Sequence, residues 1–177
     1  MVLLGLVITL QYQLGRSEQW EVTRLQIRNA VEADVQEIAQ MWHLGWHQGH
    51  AAAVPAELVA LRTPAEFVDR TRGHLAATSV AMREERMVGF FMVKGSELYQ
   101  FYVDPELKGS GVAAELMGHA EAALAGQRAN LACAVGNARA AAFYRKCGWE
   151  MVRTGPYVVE TSEGPFTVQE WRFEKSL

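Results

Sequence analysis

The chain has 177 residues, half of them apolar and 21% charged, which fits one soluble globular domain with a sizeable core. A formal charge of −3 advertises no basic surface, so neither nucleic acid nor an anionic membrane is expected as a partner. Two cysteines, Cys133 and Cys147, are too few for a disulfide framework and read as small core thiols in a reducing, cytoplasmic setting.

Met1 to Leu10 is strongly apolar but has no basic region ahead of it, the first basic residue being Arg16. It is also far short of the ~20 residues that a spanning helix requires. The segment reads equally as an extra strand, a loose arm, or translation begun upstream of a start near Val22. Residues 1–23 are therefore expected to be an apolar extension, with the domain running over 24–177. From Arg24 onward strand-like and helix-like stretches alternate. Leu25 to Asn29 reads as a strand, and Asp34 to His47 as a helix capped by Asp34, with Val35, Ile38, Ala39, Trp42 and Trp46 at helical spacing. Pro64 to Ala76 is a second helix, with Thr63 as its N-cap. Ser79 to Arg83 and Met87 to Val93 form a hairpin across Glu84 to Arg86, and Leu98 to Val103 is a third strand.

The second half reads more sharply. Gly111 to Ala125 is a helix with Val112, Leu116, Ala120 and Ala123 on one face, and Ala129 to Val135 is a short apolar strand. Asn137 to Cys147 is a helix with Ala140, Phe143, Tyr144 and Cys147 along its buried stripe, ended by Gly148. Trp149 to Val159 and Phe166 to Phe173 close the chain as a hairpin. The order β-α-α-β-β-β-α-β-α-β-β implies a mixed sheet with helices on its faces, an α/β domain without a linker.

Chemistry concentrates in two segments. In the first, a strand runs through Asp104–Pro105 into Lys108-Gly109-Ser110-Gly111-Val112-Ala113, which opens a helix. Glycines let a backbone come close to a ligand, and a helix N-terminus offers unpaired N–H groups and about half a positive charge, so this is an anion site. The same residues fit G-x-G-x-x-A, yet five residues separate them from the strand and the next strand ends in Gly136–Asn137 without the acid a dinucleotide ribose needs. The second segment is Asn137-Ala138-Arg139-Ala140-Ala141-Ala142-Phe143-Tyr144-Arg145-Lys146-Cys147-Gly148-Trp149.

Together, in this order, the two segments resemble the GNAT acetyltransferases. Lys108, Gly111 and Ala113 answer that family's (Gln/Arg)-x-x-Gly-x-(Gly/Ala) loop, and Asn137, Ala140, Phe143, Tyr144, Lys146, Gly148 and Trp149 follow its second motif. Lysine at 108 keeps the charge but lacks the planar, multi-donor head of the usual residue. The resemblance implies a GNAT-like acyl-CoA N-acyltransferase fold, its mostly antiparallel sheet splayed at the cofactor site with helices on both faces. It implies acetyl-CoA as cosubstrate and a small-molecule or peptide amine as acceptor, and it is compatible with a homodimer.

The resemblance also assigns residues. The pantetheine arm is expected along Phe101, Tyr102 and Val103, the pyrophosphate on Lys108 to Ala113, and further cofactor contacts at Asn137, Ala140, Phe143 and Lys146. Tyr144 matches the family tyrosine that protonates the leaving thiolate. Glu97 stands where some members place a base for the amine; a water relay is the alternative. A catalytically silent acyl-CoA-binding module, or an interaction protein using the apolar arm, would share parts of the pattern. His43, His47 and His50 have metal-like spacing, but Gly45 and Gly49 are expected to break the helix that would hold them and no metal is expected. Trp46, His47 and His50 instead fall where the family borders its acceptor pocket.

Overall fold

The computed structural model describes residues 24–177, so the extension over 1–23 lies outside the described residues. Strands are β1 (Gln26–Asn29), β2 (Thr78–Arg83), β3 (Arg86–Lys94), β4 (Glu97–Val103), β5 (Arg128–Ala134), β6 (Glu150–Thr161) and β7 (Gly164–Ser176). Helices are α1 (Val35–His50), α2 (Ala56–Leu61), α3 (Pro64–Gly73), α4 (Val112–Ala123) and α5 (Ala138–Lys146). The seven strands lie in the order β1-β2-β3-β4-β5-β7-β6. All neighbours are antiparallel except β4 and β5. The unbroken apolar run of β3 is explained by its place: Met87 to Met92 are all buried because helices cover both faces of the sheet there.

Each face has its own core. On one, α4 and α5 pack Val112, Leu116, Met117 and Ala141 against Phe91, Leu98, Leu131 and Phe173. On the other, α1 and α3 pack Ile38, Trp42, Trp46 and Phe67 against Val80, Phe90 and Met92. Trp42 is fully buried, edge-on to Phe67 at 5.3 Å and Phe90 at 6.2 Å, and truncating such a ring costs about 3–5 kcal/mol. Among the described residues no helix is long and apolar enough to cross a membrane.

Local signals decide the ends of elements. Thr63 accepts a hydrogen bond from the Glu66 amide at the start of α3, and Asn137 accepts one from the Ala140 amide at the start of α5. Gly148, at φ +83°, lets α5 end with the Trp149 amide on the Tyr144 carbonyl and the Gly148 amide on the Arg145 carbonyl. Three expectations need correction. Asp34 does not cap α1; its carboxylate accepts from Arg28 and from the Val31 amide instead. The short helix α2, between the two helices read from the sequence, had no clear periodicity to announce it. And α1 is not broken at Gly45 or Gly49 but continues to His50. Each interior glycine costs roughly 1 kcal/mol against alanine, which burial of Val35, Ile38, Trp42 and Trp46 more than offsets at ~1.5–3 kcal/mol per large side chain.

Those two glycines are there for proximity. A Cβ at Gly45 would lie 2.5 Å from the Tyr102 ring, and one at Gly49 would lie 3.1 Å from the Asn137 amide nitrogen. The helix thus runs close against β4 and the start of α5, the elements that carry the site.

Candidate active site

The site begins where the sheet opens. β4 and β5 run parallel but share a single pairing, Glu97 opposite Asn130, pinned by the Asn130 amide on the Ser96 carbonyl at 2.9 Å. A bulge follows at once: on β4, Leu98 faces Val93 and Gln100 faces Met92, which leaves Tyr99 as an extra residue. Beyond it β4 pairs only with β3, while β5 turns to β7 through Ala132↔Arg172 and Ala134↔Glu170. The two strands diverge and leave the inner edge of Gln100 to Val103 without a β partner.

A cleft of about 720 Å³ fills that gap, walled by α1 and floored by β4, β5 and α5. Phe101, Tyr102, Val103, Lys108, Gly109, Gly111, Ala113, Asn137, Ala140, Phe143 and Tyr144 all line it. Three residues expected there do not. Ser110 turns its hydroxyl onto the Leu107 carbonyl at 2.6 Å, Val112 is fully buried in the core, and Lys146 is exposed at the far end of α5. Arg139, in the second motif, lines the cleft as an exposed cation without an ion pair among the described residues. Position 139 is not one of the second motif's pattern residues, so the motif does not mark it.

The loop into α4 has the make-up of an anion cradle. Gly109 and Gly111 sit at φ +81° and +89°, conformations that favour glycine, and a Cβ at either would meet nothing within 4 Å. Amides of Lys108 and Ser110 are used inside the loop, those of Ala114 and Glu115 turn back to the Gly111 carbonyl, and those of Gly109, Gly111 and Ala113 have no acceptor among the described residues. Three free N–H groups at a helix N-terminus, with Lys108 in the same loop, fit a pyrophosphate. The unpaired edge of β4 fits an extended amide-bearing arm in the same way. Both halves of a coenzyme A molecule therefore find matching groups.

At the inner end Tyr144 packs against Phe143 at 5.8 Å and Phe173 at 5.6 Å. Burial, followed by the neighbouring Cys133 thiol, pushes its hydroxyl well above the ordinary tyrosine range, so it keeps its proton at neutral pH. Burial likewise raises Tyr102, and lifts the Cys133 thiol to about 11. A second cavity, of about 220 Å³, meets the first across the splay and shares His50, Tyr99, Gln100, Tyr102 and Ala132 with it. Trp46 lines this cavity, and His50 stacks on Trp46 at 5.5 Å with its Nδ1 on the Trp46 carbonyl; burial holds the His50 ring below its usual pKa. His47 lines neither cavity, its Nε2 bonding the Arg62 carbonyl at 2.9 Å. Glu97 lines the second cavity, accepting from the Tyr157 hydroxyl at 3.2 Å and standing 3.6 Å from Arg172. No group of three or more potential metal ligands occurs among the described residues.

The family model described as acetyltransferase (GNAT) matches residues 34–149, a stretch that holds both the glycine loop and the splayed strand pair. The chain belongs to that family. It is an acyl-CoA-dependent N-acetyltransferase, moving an acetyl group from acetyl-CoA to an amine. Solved structures agree in fold. A GCN5-related N-acetyltransferase from Rhodopseudomonas palustris superposes with a TM-score of 0.66 at 22% identity, covering 87% of this chain and 96% of the other. Apo YjaB from Escherichia coli gives 0.64 at 23%, covering 85% and 96%. The PaiA N-acetyltransferase from Thermoplasma acidophilum, solved with coenzyme A, gives 0.58 at 17%, covering 86% and 99%. At these identities the likeness is one of fold. No curated protein sequence matches this GNAT enzyme significantly.

Proposed function

We propose that acetyl-CoA occupies the larger cleft, that a primary amine of a small molecule or peptide enters the smaller cavity, and that the acetyl group crosses the splay between them. The observation that carries this reading is the meeting of the two cavities at Tyr102 and Ala132, beside the strand edge that β4 leaves unpaired inside the sheet. Acetyl-CoA supplies an activated acyl carbon and a thiolate leaving group. Amides of Gly109, Gly111 and Ala113 hold its phosphates, and the β4 edge orients its arm. Tyr144, whose hydroxyl stays protonated, donates to the departing sulfur. An alkylamine has a pKa near ~10, so a proton must leave it before attack. It goes to the carboxylates of the acceptor side, among which Glu97 stands, or to water.

Free Cys133 and Cys147 fit a reducing compartment, and the cytoplasm is the location we infer. The test is acetyl-CoA binding followed by release of coenzyme A in the presence of a panel of primary amines. Binding without release for any amine would sink the catalytic half of the proposal and leave a cofactor-binding module.

A further inference from the structure

With the acceptor cavity assigned as above, we propose that Glu170, on β7, is the residue that binds the acceptor's ammonium group and takes its proton. Alternation along β7 puts Glu170 and Arg172 on one face, opposite Trp171 and Phe173, which pack into the other core, and Glu170 lines the smaller cavity. Across from them on β5 stand Ala134 and Ala132, residues too small to fill the space in front of a carboxylate. Glu170 lines that cavity and yet is only 1% exposed.

Its two oxygens differ. Oε1 accepts from Arg172 at 2.9 Å and from Arg153 at 3.2 Å. Oε2 is buried and has no hydrogen-bond partner among the described residues. Buried carboxylate oxygens are rarely left so, because the penalty for an unsatisfied charged acceptor exceeds that for a neutral one. A primary ammonium supplies the donor that Oε2 lacks, beside a charge that Arg172 and Arg153 already meet at Oε1.

The charges around Glu170 are Arg172 on β7, Arg153 on β6 and Glu97 on β4, with the neutral Cys133 thiol on β5. Burial, the largest influence, outweighs the two arginines and raises the carboxyl above the usual range, so it is a better proton acceptor than an exposed glutamate. In the step itself an ammonium N–H bond breaks, an O–H bond forms at Oε2, and the freed nitrogen lone pair becomes available to the acyl carbon. Glu170 then returns its proton to solvent. Glu97, which accepts from Tyr157 and stands 3.6 Å from Arg172, lines the same cavity.

The experiment uses the full chain with its glutamate carboxyl carbons 13C-labelled and coenzyme A bound, so that no acetyl group is transferred, titrated with n-propylammonium chloride and, as uncharged control, n-propanol. Glu170→Asp, which keeps the charge, identifies the Glu170 signal even should Glu170→Gln fail to fold. The expected result is a shift of that signal with the ammonium and none with the alcohol. Glu170→Gln should weaken propylammonium binding by about tenfold or more and leave coenzyme A affinity unchanged. A Glu170 signal that ignores the ammonium while coenzyme A binds normally overturns the proposal, as does undiminished amine binding by Glu170→Gln; a merely structural Glu170 gives this result. Failure of coenzyme A to bind would strike the cofactor assignment instead.

Discussion

Gly111→Glu tests the anion site most directly. At a hundredfold excess over its dissociation constant, acetyl-CoA should stabilise the wild-type chain by about 2.7 kcal/mol. For a chain of this size that corresponds to a rise in Tm of about 5–11 °C. Gly111 is held at φ +89°, where any Cβ costs roughly 1–2 kcal/mol, so the ligand-free variant melts earlier whatever its side chain. The quantity to read is therefore the ligand-induced increment. Nothing lies within 4 Å of a Cβ at this position, so Gly111→Ala carries the same backbone strain without filling the cradle and should keep most of the increment. Glutamate adds a negative charge beside the pyrophosphate. At ~5 Å and an effective dielectric constant of ~20, the repulsion is on the order of 3 kcal/mol per phosphate charge. That exceeds the whole binding gain at this concentration, and the increment should vanish. Differential scanning fluorimetry of the three proteins with and without acetyl-CoA decides the matter. A full increment in Gly111→Glu would mean that the phosphates bind elsewhere.

Further outcomes follow from individual contacts. Lys108→Arg should preserve or tighten coenzyme A binding in calorimetry, because the guanidinium offers the multi-donor head that lysine lacks; a loss beyond about tenfold would show that Lys108 contributes through its own shape. Tyr144→Phe should lower turnover by roughly 10²-fold or more while leaving acetyl-CoA affinity nearly intact, and full activity would remove Tyr144 as the acid. Gly45→Ala should lower Tm although alanine is the better helix former, since its Cβ would meet the Tyr102 ring at 2.5 Å and such overpacking costs about 1–3 kcal/mol. Gly118→Ala, within α4 and with open space around it, should raise Tm by the helix-propensity gain of roughly 1 kcal/mol; equal effects at 45 and 118 would contradict the close approach of α1 to β4. Asp34 is paired with Arg28, which holds its carboxyl below the usual range, so its contribution is present above the unfolded value near ~4 and lost as pH falls through the folded one. Asp34→Asn should therefore melt earlier than wild type at pH 7, with the difference shrinking as pH falls below ~4, as followed by circular dichroism.

Much of this enzyme was legible in one dimension because its signals are local. A glycine pair before a helix, an Asn N-cap, a Gly148 C-cap and the alternation of strands depend on neighbours a few residues away, so the glycine loop, α5 and most of the order of elements along the chain could be read directly. Gly45 and Gly49 could not. By propensity they end a helix, and only the proximity of Tyr102 and Asn137, some 57 and 88 residues further along the chain, shows why the helix runs through them. The splay of the sheet is equally tertiary, for it comes from one pairing at Asn130 and a bulge at Tyr99 that no local pattern announces. The acceptor side was the least readable. Glu170 sits in an ordinary alternating strand, and its burial, its two arginines and its unpartnered oxygen arise only when β5, β6 and β7 come together around it. Local chemistry wrote the glycine loop and the α5 motif into consecutive residues, whereas the smaller cavity is assembled from single residues of many elements, and desolvation, a property of the assembled fold alone, decides what their side chains can do.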